Sequence, residues 1–294
     1  MGVGQVISDT FGMVKARFGS LLGLWATYFA LTMGVFIGMA IAIGATGMAS
    51  LATMSGSDAM SAEGAMAGGA AMVLVVIVFY LGYLLVAMAQ YASLIIMASP
   101  TERPTFGEAL GAGWRAAPAL LLLMIVLVVG YIVLSVPLAI FVAAFPTMGD
   151  GASAIFLVLL IPVLVWAGCR LSPLFAVIAV DRVRNPFAAI ARAWRLTRGH
   201  ALTIFLATLA FMVILVVVCG AVLLPSIGML RSMADPAAMA SGEAMGQALG
   251  GMALFGVSVL VVSVLFNLLY CAFMAVIHGT LSSASDVGTA ETFA

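Results

Sequence analysis

Long apolar runs separated by short polar stretches set the pattern of this chain; they cover approximately residues 21–45, 71–97, 120–145, 153–180, 201–224 and 252–277. A bilayer core needs roughly 20 apolar residues in helical form, because hydrocarbon offers backbone N–H and C=O groups no partner. Each run reaches that length. The pattern predicts an all-α, polytopic membrane helical bundle of about six transmembrane helices.

Shorter stretches of helical periodicity, too polar to cross, precede each pair of spans. In the first, Ile7, Phe11, Val14 and Phe18 share a stripe with Gln5 and Asp9 opposite, while Lys15 and Arg17 sit on its shoulders. That suits a helix in the headgroup plane with its cations snorkelling outward. The second opens with Thr105 and Glu108 in capping-box spacing, then sets Phe106, Leu110 and Trp114 on one face. The third opens with Asn185 as N-cap and Pro186 at the first helical position. Phe187, Ile190 and Trp194 form its apolar face, Arg192 and Arg195 lie away from it, and Gly199 is placed to end it. The chain thus reads as one integral membrane domain of three parallel repeats, approximately 1–99, 100–181 and 182–278. Each is led by a short cytoplasmic interfacial amphipathic helix, and a small, polar tail at 279–294 is expected to be mobile.

Charge fixes the expected orientation. Lys15, Arg17, Arg103, Arg115, Arg182, Arg184, Arg192, Arg195 and Arg198 fall on one side of a six-span drawing, against Arg231 with Asp58, Glu63, Asp150, Asp235 and Glu243 on the other. Positively charged loops resist translocation, so both termini are expected in the cytoplasm, at the inner membrane if the source is bacterial. The connections at 46–69, 146–152 and 226–251 are then non-cytoplasmic and too small for a catalytic domain. Only 7% of the 294 residues are charged and 65% are hydrophobic, against about 25% charged in soluble domains. Nucleic-acid binding is not expected. Lys15 and Arg17 could open a signal peptide, but the following run exceeds the roughly 7–15 residues of a signal's apolar region, so it is read as a span.

Candidate chemistry is sparse. Cys169, Cys219 and Cys271 lie in apolar runs, and His200 and His278 have no metal-site spacing with acids or thiols. The 20 Met residues, among them Met54, Met60 and Met66, lack clustered spacing; no cofactor or metal is expected. Arg170 is the one ionisable residue well within a span, on the order of 16 Å deep at ~1.5 Å per residue. With Asn267 at similar depth and Gln90 roughly 12 Å in, and Tyr91, Ser172 or Tyr270 as further partners, it could form a polar cluster that attracts phosphate or carboxylate. The structural alternative is that Pro173 breaks the span and Arg170 caps the freed carbonyls or snorkels outward. Arg182, Arg184, Arg192, Arg195 and Arg198, with Trp194 and Trp114, are candidate lipid-headgroup contacts, although topology alone also demands cations there. Gly34 and Gly38 permit close helix approach, within the chain rather than between copies.

The segment Arg170-Leu171-Ser172-Pro173, then Asp181, then Ala193-Trp194-Arg195-Leu196-Thr197-Arg198-Gly199-His200 resembles the glycerophosphoryl diester phosphodiesterase membrane domain family and the related YciC-type bacterial inner-membrane proteins. In that family's fused enzymes, hydrolysis belongs to a separate soluble barrel with His, Glu and Asp around a divalent metal. The chain is expected to have no room for such a barrel. Its Arg198-Gly199-His200 also reverses the His-Arg-Gly order of that active site, so the resemblance implies fold and location and no catalytic residue. The expected function is that of a non-enzymatic integral membrane scaffold or regulator. Its partners are membrane lipids, anionic ones included, and a membrane protein or a second copy of the chain. The alternative is a transporter or lipid-translocating protein built on the Arg170 cluster.

Overall fold

Hydrocarbon makes each apolar run satisfy its own backbone, and the computed structural model, which describes residues 2–54, 62–144, 162, 164–233 and 244–293, is helical throughout its regular structure. The helices are α1 (Val3–Met54), α2 (Ala62–Met97), α3 (Phe106–Ala144), α4 (Leu174–Ala179), α5 (Pro186–Leu196), α6 (Ala201–Met233) and α7 (Ala244–Phe293). α1, α2, α3, α6 and α7 are long and apolar enough to span a bilayer. The chain is a multi-pass integral membrane protein. The fourth predicted span is represented by the shorter apolar helix Leu164–Ala179, with a turn at 172–173 before α4; residues 153–161 and 163 lie outside the described residues.

The amphipathic stretches are joined to their spans in two ways. The first two are not separate helices, because nothing in them stops the backbone, and they continue into α1 and α3. Each junction is nevertheless marked. In α1 it is Arg17, at φ −119° and ψ 20°, and in α3 it is Pro118, which cannot donate to the helix ladder. Only the third is a helix of its own, α5, closed by a turn in which Gly199 takes φ 85°. Both predicted N-caps form. Thr105 N–H donates to Glu108 Oε2 at 2.7 Å while Glu108 N–H donates to Thr105 Oγ1 at 3.4 Å, and Asn185 Oδ1 accepts from the N–H groups of Phe187 and Ala188. The tail is helical: without a proline to stop it, α7 runs on to Phe293.

Helix shafts also overrun the predicted loops. α1 reaches Met54, α2 begins at Ala62, and α6 and α7 cover 226–233 and 244–251; the predicted turn at 146–152 lies outside the described residues. Packing runs α3 to α2 to α1 to α7 to α6, so α1 lies between two hairpin partners. The buried residues concentrate at one end: Leu21, Leu24 and Tyr28 of α1 meet Ala89, Ala92 and Leu94 of α2 and Leu120 and Leu123 of α3. α6 and α7 close around Phe211 and Phe273, stacked at 4.2 Å. Towards the other end, residues such as Ile41, Val133 and Val216 are exposed, as befits lipid contact.

Two glycines serve this core. Gly38 brings α1 against Phe79 of α2, the close approach read from the Gly34 and Gly38 pair, whereas Gly34 faces open space. Gly113 seats α3 on α2. A β-carbon there would strike Ser93 Oγ and lie 2.7 Å from the Ala89 carbonyl oxygen, and Ser93 Oγ already shares a 2.8 Å hydrogen bond with the Tyr28 hydroxyl of α1. Gly113→Ala should therefore lower stability by about 1–3 kcal/mol, the range for overpacking, whereas Gly130→Ala, set in open space on the same helix, should not. Unfolding by SDS titration in mixed micelles measures both, and equal stability of the two variants would contradict this packing.

Candidate functional site

The end of the bundle that holds the core also gathers the charges. Arg17, where α1 departs from helical geometry, donates Nη1 to the carbonyls of Met97 at 2.5 Å, Ser99 at 3.2 Å and Glu102 at 3.3 Å, and Nη2 to Glu102 at 3.2 Å. A helix C-terminus leaves its last carbonyls without intrahelical donors and carries partial negative charge. Arg17 supplies the missing donors from another helix. The outward snorkelling expected of it is replaced by an inward clasp on the Met97 carbonyl that ends α2 and on the Ser99 and Glu102 carbonyls that follow it.

A second polar junction centres on Asp181, immediately after α4. Its Oδ2 accepts from Arg192 Nε of α5 at 2.6 Å and lies 3.1 Å from His278 Nε2 of α7. His278 is buried and Asp181 nearly so. Burial alone raises a carboxyl's pKa, but the hydrogen bonds and charges of His278 and then Arg192 outweigh it and hold Asp181 below the ordinary aspartate value. Ser282 Oγ lies 3.5 Å from the same Nε2 atom. Acid and hydroxyl thus share one ring nitrogen, whereas a nucleophile relay needs them on opposite ones. Arg192, a candidate headgroup contact, is engaged by Asp181. His278 was missed from sequence, where its only signal was a polar residue at a span end on the same side as Asp181.

Arg170 packs against a pair of indoles that themselves meet edge to face at 5.1 Å. Its guanidinium carbon is 5.2 Å from the Trp166 ring and 5.0 Å from the Trp194 ring, and Nη1 donates to the Trp194 carbonyl at 3.2 Å. Thr197 Oγ1 bonds back to the Arg170 carbonyl at 3.2 Å, while Arg170 Nε is buried without a partner. The side chain therefore reaches the end of α5, bonding the Trp194 carbonyl and, among the described residues, no carbonyl of its own span, and a turn lies nearby at Ser172 and Pro173. Asn267 instead donates to Ser263 of its own helix, and Ser172 to Met274 Sδ. Among the described residues no hydrogen bond joins Arg170, Asn267 and Gln90.

Around these junctions the three amphipathic segments share one design. Small or slender residues face inward: Val6 and Thr10, then Ala109, Gly113 and Ala117, then Pro186, Ala189 and Ala193. Aromatics face outward, with Phe11, Phe18, Phe106, Trp114, Phe187 and Trp194 exposed by between 37% for Trp114 and 69% for Phe187. Arg184, Arg195 and Arg198 are exposed beside them. Arg182, at φ 57°, reaches Glu102 Oε1 at 4.0 Å in an exposed pair, a contact of little energy.

The two junctions give separate expectations. Arg17→Gln should cost about 1.5–3 kcal/mol, the scale of hydrogen bonds from a charged donor, in an unfolding titration, with Arg17→Lys recovering part; an unchanged midpoint for Arg17→Gln would refute the clasp. A depressed folded pKa at Asp181 adds stability at pH above the unfolded aspartate value of ~3.9, and that stability is lost as pH falls through the folded value. Thermal unfolding between pH 6 and pH 3 in detergent should therefore steepen at the acid end in the native chain and flatten there in Asp181→Asn, and parallel profiles would contradict the assignment. No protein-family model, curated protein or solved structure matches the chain.

Proposed function

We propose that this integral membrane protein is a non-enzymatic scaffold or regulator whose arginine-rich end faces the cytoplasm, at the inner membrane of a bacterial cell, and engages lipid headgroups and membrane partners. The observation that carries the reading is the outward collar of aromatics and arginines on three amphipathic segments whose small residues are spent on packing. Exposed Phe and Trp suit the level of the headgroups, and cations near an anionic leaflet contribute about 1 kcal/mol each. The resemblance to the phosphodiesterase membrane domain family belongs to the same reading, as fold and location only. A translocation route centred on Arg170 has weaker support, since its guanidinium already packs against two indoles.

Gentle extraction into nanodiscs of mixed phosphatidylglycerol and phosphatidylcholine, followed by counting of retained lipids by native mass spectrometry, tests the collar. Arg195→Gln with Arg198→Gln should lower phosphatidylglycerol enrichment, by up to about fivefold per arginine at ~1 kcal/mol each, while Arg170→Leu leaves it unchanged. Equal enrichment in the native and double-variant proteins, or its loss in Arg170→Leu alone, would overturn the proposal.

A further inference from the structure

Beside the Arg17 clasp, a cavity of about 810 Å³ opens between the start of α3, the end of α2 and the chain after α4. Four arginines line it, Arg103, Arg115, Arg182 and Arg184. Two acids line it as well, Glu108, which caps α3, and Glu102, whose Oε1 is 4.0 Å from Arg182 in an exposed pair. Arg103, Arg115 and Arg184 have no hydrogen bond or ion pair among the described residues. Four arginines against two carboxylates leave the lining with an excess of positive charge that favours an anion, and planar forks of N–H donors match phosphate oxygens.

The wall of the cavity adds a second requirement. Gly107, Gly111, Ala112, Ala116 and Ala119 form a small, apolar strip along α3, continued by Ile96 and Ile178. From Gly107 to Ala119 the strip is roughly 18 Å long at ~1.5 Å per residue; it passes Arg115, and its Ala119 end meets the apolar run that begins at Leu120. A soluble anion uses only the arginines. A phosphate joined to an acyl chain uses both the arginines and the strip.

We infer that this cavity binds one phosphate-bearing amphiphile, with its phosphate among Arg103, Arg115 and Arg184 and its first acyl carbons along the Gly107 to Ala119 strip. The site rests on the proposed reading of this end as the headgroup face, and it adds to the collar a single, saturable position. Arg103 and Arg115, outside the set singled out from sequence, become its principal ligands with Arg184.

Titration of the full chain in detergent with dioleoyl phosphatidic acid, read by native mass spectrometry, should saturate at one tightly held lipid per chain. Glycerol 3-phosphate, the same anion without acyl chains, should compete only at far higher concentration. Arg115→Gln with Arg184→Gln should weaken the lipid about tenfold or more per arginine. Gly111→Leu should weaken it comparably with every cation retained, and because Gly111 faces open space and leucine favours helix its unfolding midpoint should not fall. Binding of glycerol 3-phosphate as tight as that of the lipid would overturn the amphiphile, and lipid binding indifferent to both variants would overturn the site. Retained phosphatidylglycerol enrichment at the collar alongside such a result would fault the cavity alone, whereas loss of both would fault the headgroup-face reading too.

Discussion

A transmembrane helix is self-sufficient along its shaft and deficient at its ends, where the last carbonyls lack donors just as the chain leaves hydrocarbon. Arg17 answers that deficiency for α2 by bonding the carbonyls of Met97, Ser99 and Glu102. The contact requires α1 and α2 to be aligned at this level, and Tyr28 with Ser93 and Gly113 repeat the alignment deeper in the bundle. Asp181 does the same for the other half, joining the chain after α4 to α5 and α7. Both polar junctions lie where burial is partial and the charges keep a path to water. The buried apolar contacts between them set how closely the helices approach, and the polar contacts set their register.

Features governed by local period or local charge were legible in the sequence. Five of the apolar runs became long helices, Thr105 with Glu108 and Asn185 became caps, and Gly199 took the left-handed conformation that ends α5. The same-side grouping of cations agrees with the contacts linking Arg17 to Glu102, Arg182 to Glu102 and Gly279 to Pro100. Side-chain partnerships were less legible. Asp181 and His278 meet across 97 positions, and no periodicity encodes that pair. Arg170 was read by depth along its helix, but a long side chain can reach a neighbouring element, and two indoles with a carbonyl hold it more cheaply than an unpaired site in hydrocarbon.

The amphipathic segments show how one face can hide another in a sequence. Phe106, Trp114, Phe187 and Trp194 are the conspicuous residues, and a hydrophobic pattern weights them as core. In the fold the core takes Ala109, Gly113, Ala189 and Ala193, whose small side chains admit the neighbouring helix, and the large rings are left outside. Lipid as solvent reverses the usual inference from size to burial, because an exposed ring at this level loses nothing.

Burial among the described residues is confined largely to the basic half of the bundle, while the far halves of α1, α2, α3 and α7 have few protein neighbours. Among the described residues the bundle is therefore packed most closely at its basic end. Tilt in answer to a change in bilayer thickness costs fractions of a kcal/mol per Å, and it disturbs fewest protein contacts in the described segments away from that end.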